Sequence, residues 1–170
     1  MIDQWRQDTP GCASRVHLNN AGAALTPRPV HQAVAAHLRL EDEIGGYEAF
    51  DARSGKIRDV YQDVGRLLGS HGRNIAFTQN STLAFAQALE AFDFGAGDSI
   101  LTSRSDYASN QIMYLSLARR RGVEVVRAPD TAEGGIDPDA VRSLVARRRP
   151  TLVALTWIPT NSGLVQPAEV

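Results

Sequence analysis

Apolar and polar positions in the second half of the chain follow two alternating periods. Short apolar, β-prone runs alternate with stretches whose apolar residues recur every three or four positions. Because apolar strands that alternate with helices pair in parallel, this pattern predicts an α/β fold whose sheet is covered by helices. The predicted strands are 75–78, 99–102, 123–126 and 152–156, and the predicted helices are 81–92, 108–121 and 138–148.

The first half of the chain is predicted to be mainly helical. Residues 1–26 show no regular period and are interpreted as an irregular arm. Pro27 precedes a helical pattern that the Gly45-Gly46 pair interrupts. A second helix is predicted from about Ala52 to Leu68, with its apolar residues facing inward.

The junction between strand 75–78 and helix 81–92 is the most informative segment. It reads Gln-Asn-Ser-Thr, and its last two residues are Ser81 and Thr82. The N-terminus of a helix offers free N–H groups and a positive dipole end, so hydroxyl residues there are typical of a phosphate site. The same residues are also typical of an ordinary helix N-cap by Asn80 or Ser81. The local sequence leaves both interpretations open.

Polar loops follow three of the predicted strands. In parallel sheets the carboxyl ends of the strands share one edge, and ligands bind beyond that edge. The sequence therefore predicts a ligand site formed by these loops, which are Gln79–Thr82, Ser103–Asn110 and Trp157–Ser162.

Composition restricts the class of protein and its partners. The chain has 170 residues, is 43% hydrophobic and 22% charged, and carries a net charge of −1. Without a basic stripe it is not expected to bind nucleic acid. No apolar run approaches the roughly 18 residues that a membrane span needs, so no membrane partner is expected. The N-terminal residues include acids and lack a signal core, so we expect a cytoplasmic protein.

Several stretches, in the same order and spacing, resemble the N-terminal part of class V aminotransferase-type enzymes. These are fold-type I, pyridoxal-phosphate (PLP) proteins, and they include cysteine desulfurases, isopenicillin-N-epimerase-like proteins and the C–S lyase of ergothioneine biosynthesis. The resemblance extends from Val16 to Val170. It rests on residues 18–22, 45–49, 75–82, 97–100, 106–110 and 157–163.

The resemblance implies roles for three residues in the first two loops. Ser81 and Thr82 match the hydroxyl pair that holds the cofactor phosphate, and Asn80 replaces the glycine that usually precedes that pair. Tyr107 matches the aromatic position, commonly histidine, that stacks on the pyridine ring. Packing of Tyr107 on the sheet edge is the alternative interpretation.

Further roles are implied in the third loop and in the N-terminal arm. Thr160 and Asn161 match positions near the ring hydroxyl, although Pro-Thr-Asn-Ser-Gly is also good turn chemistry. Trp157 stands where many members have histidine. The arm residues that match the substrate side in relatives are Asn20, Ala21 and Gly22.

The resemblance also implies a division of the chain and a missing lysine. Residues 1–44 would form an N-terminal arm and helix, and 45–170 the first part of a three-layer PLP-binding large domain. The Schiff-base lysine of the family is expected later in the chain. The single lysine, Lys56, does not match it, and the single cysteine, Cys12, does not match the catalytic cysteine of desulfurases. No catalytic residue is therefore assigned within the chain.

The parent protein is expected to be a homodimeric PLP enzyme acting on a small amino acid. The expected chemistry is that of a cysteine desulfurase or C–S lyase, and the 170-residue chain by itself is expected to be inactive. An aminotransferase or an amino-acid epimerase of the same family is an alternative. A phosphometabolite-binding α/β module without PLP, or an inactive fragment, is another alternative.

Overall fold

The computed structural model describes residues 1–20 and 22–167. The chain divides into two compact units, residues 1–76 and residues 77–170, and each is described by itself. Within the described residues no helix is long and apolar enough to span a membrane. The predicted division at residue 44 concerns domains of the parent enzyme and stays a prediction.

The N-terminal arm of the first unit is partly helical, so the prediction of an irregular arm was wrong for its first residues. Helix α1 spans Ile2–Asp8, and a 3-10 turn follows at Pro10–Ala13. Local side-chain bonds close this helix. Gln4 donates to Asp8 at 3.0 Å, and the Thr9 hydroxyl donates to the Trp5 carbonyl at 2.9 Å. These contacts join polar groups four residues apart, and the helix buries no residue, so it has no apolar face that sequence analysis could detect.

Two long helices complete the first unit. Helix α2 spans Arg28–Ile44 and helix α3 spans Gly46–Leu67. The second helix begins six residues earlier than predicted, because only Gly45, with φ of 93°, leaves helical geometry. The inward-facing prediction was wrong for four apolar residues, which are exposed in this unit: Val60 (44%), Tyr61 (37%), Leu67 (81%) and Leu68 (66%).

The second unit alternates helices with parallel strands. The strands are ordered β2-β1-β3, and every pairing is parallel. In the central strand, Ile100 pairs with Val125 on one side and Leu152 on the other. The elements in chain order are α4 (Ser81–Glu90), β1 (Ser99–Thr102), α5 (Ala108–Arg121), β2 (Glu124–Arg127), α6 (Pro138–Arg148) and β3 (Leu152–Ala154).

Helices cover both faces of this sheet, which confirms the predicted α/β architecture with three layers. Ile100 packs on one face with Leu89 of α4 and Tyr114 of α5. The next residue, Leu101, points to the other face and packs with Leu144 of α6. This alternation follows from the period of two along a strand, and it leaves β1 buried on both sides.

The predicted strand at 75–78 does not form within the described part of the chain. Ile75 has extended backbone angles, φ −100° and ψ 130°, but no neighbouring strand pairs with the segment. β-prone side chains favour extended backbone, whereas a strand also requires a hydrogen-bonded partner. The prediction of a strand was therefore wrong, while the helix predicted after it begins at Ser81 as expected.

Candidate functional site

The loops that follow β1 and β3 meet at the carboxyl edge of the sheet. Because β1 and β3 are parallel neighbours, their carboxyl ends lie side by side. Residues of the two loops line an open cavity of about 260 Å³ at this edge. The cavity is lined by Ser105, Asp106, Tyr107, Ala108, Thr160 and Asn161. It therefore brings together Tyr107, Thr160 and Asn161, three of the residues that the sequence singled out.

Tyr107 stands at the N-cap position of α5. Its backbone is extended, and its N–H donates to the Asp106 carboxylate at 2.7 Å. Tyr107 is 53% exposed and lines the cavity, so its ring is not packed away against the sheet edge. An aromatic face at this position can stack on a planar ligand.

Thr160 and Asn161 lie in a tight turn that also lines the cavity. Gly163 donates its N–H to the Pro159 carbonyl at 2.8 Å, and its φ of 68° closes the turn. The interpretation as a turn and the interpretation as a site are therefore compatible. The turn fixes the backbone, and both polar side chains are exposed beside Tyr107.

The N-terminus of α4 has the features of an anion site. Asn80 caps this helix, since its side chain accepts from the Leu83 N–H at 3.0 Å. Asn80 has φ of −165° and so replaces glycine in an extended conformation that any residue adopts. The N–H groups of Ser81 and Thr82 are in the first turn, where no carbonyl of the helix can reach them.

The sequence did not single out Ser109, which joins this N-terminus to α5. Its hydroxyl lies 3.4 Å from that of Thr82. Ser109 is in the first turn of α5, two residues after Tyr107. The positive ends of α4 and α5 therefore meet beside the cavity that Tyr107 lines, and the hydroxyls of Thr82 and Ser109 adjoin there.

Asp106 is a second residue whose importance the sequence did not reveal. Its carboxylate is buried, with 6% of the residue exposed, and accepts five hydrogen bonds. One donor is the Tyr114 hydroxyl at 2.7 Å. Burial, followed by the bond and charge of Asp106, raises the pKa of Tyr114, so this phenol remains a neutral donor. The positions of these donors depend on the fold, so no local motif identifies them.

Gln166 closes the loop that carries Thr160 and Asn161. Its N–H donates to the Trp157 carbonyl at 2.7 Å, and its side-chain carbonyl accepts from the Ile136 N–H at 2.7 Å. Gln166 is 3% exposed. These two hydrogen bonds hold the base of the loop against the segment before α6, and they fix the position of the Trp157 backbone.

The remaining candidates belong to the first unit. Asn20 lines a separate cavity of about 430 Å³ with Cys12, which is exposed. Gly22 closes a turn on Asn19, where a Cβ atom would lie only 2.7 Å from the Asn19 side chain. Ala21 lies outside the described residues. The substrate-side assignment of this segment stays a prediction.

The residues of the second unit fit PLP, which combines a flat pyridine ring with a phosphate on a short arm. Tyr107, Thr160 and Asn161 line one cavity of suitable chemistry for the ring. The hydroxyls of Thr82 and Ser109 adjoin one another at two helix N-termini, where a phosphate is favoured. Ser109 is two residues from Tyr107, so the anion site and the ring cavity are neighbours. Within residues 1–20 and 22–167 no cluster of side chains suits a metal ion.

Comparison with known proteins identifies the family. The family model "Aminotransferase class-V" matches residues 16–170, and the chain belongs to that family. The resemblance inferred from the sequence is thereby confirmed. PLP is the cofactor of this family, and one similar solved structure is a C-DES mutant with glycine covalently linked to the PLP cofactor.

Curated relatives carry desulfurase and lyase names. The chain is 26% identical to the probable cysteine desulfurase of Halobacterium salinarum, an alignment that covers 95% of the chain and 40% of that protein. It is 27% identical to the probable hercynylcysteine sulfoxide lyase of Mycobacterium tuberculosis, covering 98% of the chain and 41% of the relative. The chain thus spans about two fifths of the length of these relatives.

Solved structures confirm the fold. The C-DES mutant superposes with a TM-score of 0.85 at 24% identity, over 95% of the chain and 43% of the neighbour. The apo cysteine desulfurase of Thermococcus onnurineus NA1 gives a TM-score of 0.81 at 20% identity, over 98% of the chain and 42% of the neighbour. The fold is therefore part of a fold-type I domain.

Proposed function

We propose that the chain forms the phosphate- and ring-binding part of a PLP-dependent enzyme of the cysteine desulfurase or C–S lyase type. One observation carries the proposal. A single cavity, lined by Tyr107, Thr160 and Asn161, lies next to the paired N-termini of α4 and α5. The aromatic face of Tyr107 matches the pyridine ring of PLP, and the polar side chains of Thr160 and Asn161 match the ring hydroxyl. The paired helix N-termini match the phosphate.

The N-terminus of α4 holds the phosphate in this proposal. The hydroxyls of Ser81 and Thr82 donate to phosphate oxygens, and the free N–H groups of the first turn add further donors. Ser109 extends the hydroxyl set from the neighbouring helix. The two helix dipoles favour a negative charge at the same point.

The ring is held between Tyr107 and the turn at Thr160. Tyr107 supplies a π face, while Asn161 can donate an amide hydrogen to the ring oxygen and so fix the tilt of the ring. When bound, PLP supplies the electron sink that such enzymes use. No residue of 77–170 has a side-chain amine, so these residues bind the cofactor without a covalent bond.

The relatives support sulfur chemistry on a small amino acid. Curated relatives of the chain have desulfurase and lyase names. We propose cysteine or a cysteine derivative as the substrate class, and a homodimer as the active assembly. No residue of the chain is assigned a role in proton transfer or in accepting sulfur.

Product analysis tests the reaction. The complete protein loaded with PLP is incubated with L-cysteine, and alanine, pyruvate and D-cysteine are quantified. Alanine with a protein-bound persulfide, which added thiol reductant releases as sulfide, supports desulfuration, and pyruvate with ammonia and sulfide supports a C–S lyase. Formation of D-cysteine alone, or of a keto acid only with an amino acceptor, would overturn the proposal in favour of an epimerase or an aminotransferase.

Ligand specificity tests the cofactor. The complete protein is titrated with PLP, pyridoxal and a phosphorylated metabolite that lacks the pyridine ring. Preferential binding of PLP is expected, because both the anion site and the ring cavity contribute. Equal binding of the ring-free phosphate would overturn the proposal and support a phosphometabolite-binding module.

A further inference from the structure

Asp106 is a buried carboxylate with no cationic partner among the ion pairs of the described residues. Burying a carboxylate without a partner is costly unless hydrogen bonds replace its water. Five donors do so here. Oδ1 accepts from Tyr107 N–H at 2.7 Å, Asn110 Nδ2 at 2.9 Å and Thr156 Oγ1 at 2.5 Å. Oδ2 accepts from Tyr114 OH at 2.7 Å and Thr102 Oγ1 at 3.3 Å.

These bonds leave the carboxylate without a free site for a ligand. An ionised carboxylate has about four lone-pair positions, and five donors already occupy Asp106. Although Asp106 lines the cavity, it cannot also accept a bond from a ring nitrogen or a substrate without losing one of these donors. Its contribution must therefore act through the residues it holds.

The five donors come from the elements that carry the cavity walls. Thr102 is the last residue of β1, and Asn110 and Tyr114 belong to α5. Thr156 follows β3 and lies four residues before Thr160. A single carboxylate thus fixes the backbone of Tyr107 on one wall and the start of the Thr160–Asn161 loop on the other.

We propose that Asp106 is a positioning residue that sets the separation between Tyr107 and the Thr160–Asn161 turn across the cofactor cavity. The inference rests on the proposed function, because the cavity is taken to hold PLP. Removing the link from Asp106 to Thr156 frees one wall relative to the other. The cavity then loses its preformed width, and the ring binds less tightly and with less fixed orientation.

Matched variants separate positioning from general stability. Thr156→Val removes the hydroxyl that ties the Thr160 loop to Asp106. Thr102→Val removes a hydroxyl from the same carboxylate at the end of β1, but it leaves the tie to that loop intact. Thr156→Ser keeps the hydroxyl and serves as the conservative rescue. Asp106→Asn keeps the shape of the side chain but turns one acceptor into a donor.

The experiment titrates PLP into the complete protein and records the visible circular dichroism of the bound cofactor. Thr156→Val and Asp106→Asn are expected to weaken PLP binding about tenfold, the scale of one charge-assisted hydrogen bond. Both should also lower the dichroism per bound cofactor. Thr156→Ser and Thr102→Val should keep the affinity and the signal of the unsubstituted protein.

The outcomes distinguish this inference from the proposed function. If the unsubstituted protein does not bind PLP, the proposed function fails and the inference fails with it. If it binds PLP but Thr156→Val matches Thr102→Val in affinity and dichroism, the positioning role alone is overturned. If Asp106→Asn does not fold, the comparison of the two threonine variants still decides, with thermal unfolding of both as the check on stability.

Discussion

The double variant Ser81→Ala with Thr82→Ala tests the phosphate site most severely. Each hydroxyl bond to a charged phosphate is worth about 1.5–3 kcal/mol. Ser81 is exposed and Thr82 half-buried, so water can replace part of each bond and the lower value applies. Two bonds then amount to about 3 kcal/mol, which corresponds to a roughly 100-fold rise in Kd for PLP. The Asn80 cap and the backbone N–H groups remain, so some affinity should persist.

The assay is equilibrium titration of the complete protein with PLP, followed by absorbance of the bound cofactor. Ser143→Ala, at an exposed position of α6, is the matched control and should bind PLP as the unsubstituted protein does. Thermal unfolding checks that α4 is intact, since alanine favours helices. An unchanged Kd in the double variant would refute the assignment of the phosphate to this helix.

Three further predictions concern the ring, an acidic group and a strained residue. Tyr107→Phe should retain PLP affinity. Tyr107→Ala should weaken the free energy of PLP binding by about 1 kcal/mol for the lost stacking, in addition to the loss of apolar contact area, and titration with PLP measures both variants. Hydrogen bonds from the Thr151 hydroxyl, and next from the Gly95 N–H, lower the pKa of Asp98 in the folded protein. The Asp98 carboxylate therefore stabilises the fold at pH values above its unfolded pKa of about 4, and this stabilisation is lost as the pH falls through the lower folded pKa. In Thr151→Val, the free energy of unfolding measured with denaturant should therefore fall less steeply as the pH is lowered below about 4 than it does in the unsubstituted protein. The same pH dependence in both proteins would contradict this prediction. Arg149 caps α6 with φ of 45°, so Arg149→Gly should raise the free energy of unfolding by about 1 kcal/mol, whereas Arg147→Gly within α6 should lower it by a similar amount.

Elements with strong local signals could be predicted closely from the sequence. Helix α5 begins and ends at the predicted residues, because Gly122 adopts the left-handed conformation that ends it. Helix α6 begins as predicted, since the Asp137 side chain accepts from two N–H groups of its first turn. Caps and turn residues act over a few positions, and a single sequence contains that information.

Features that depend on distant partners could not be predicted in this way. The extended segment at 75–78 lacks a paired strand, and no local pattern reveals whether a partner is present. The Asp106 network joins residues up to 50 positions apart, such as Thr156. Its donors are ordinary threonine, tyrosine and asparagine residues, whose meaning appears only when β1, α5 and β3 are brought together.

A structure of the complete protein with PLP would test the central claim most directly. The account predicts phosphate oxygens within hydrogen-bond distance of the Ser81 and Thr82 hydroxyls, with the pyridine ring stacked on Tyr107. A phosphate bound elsewhere, with both hydroxyls facing solvent and the cavity beside Tyr107 empty, would contradict it.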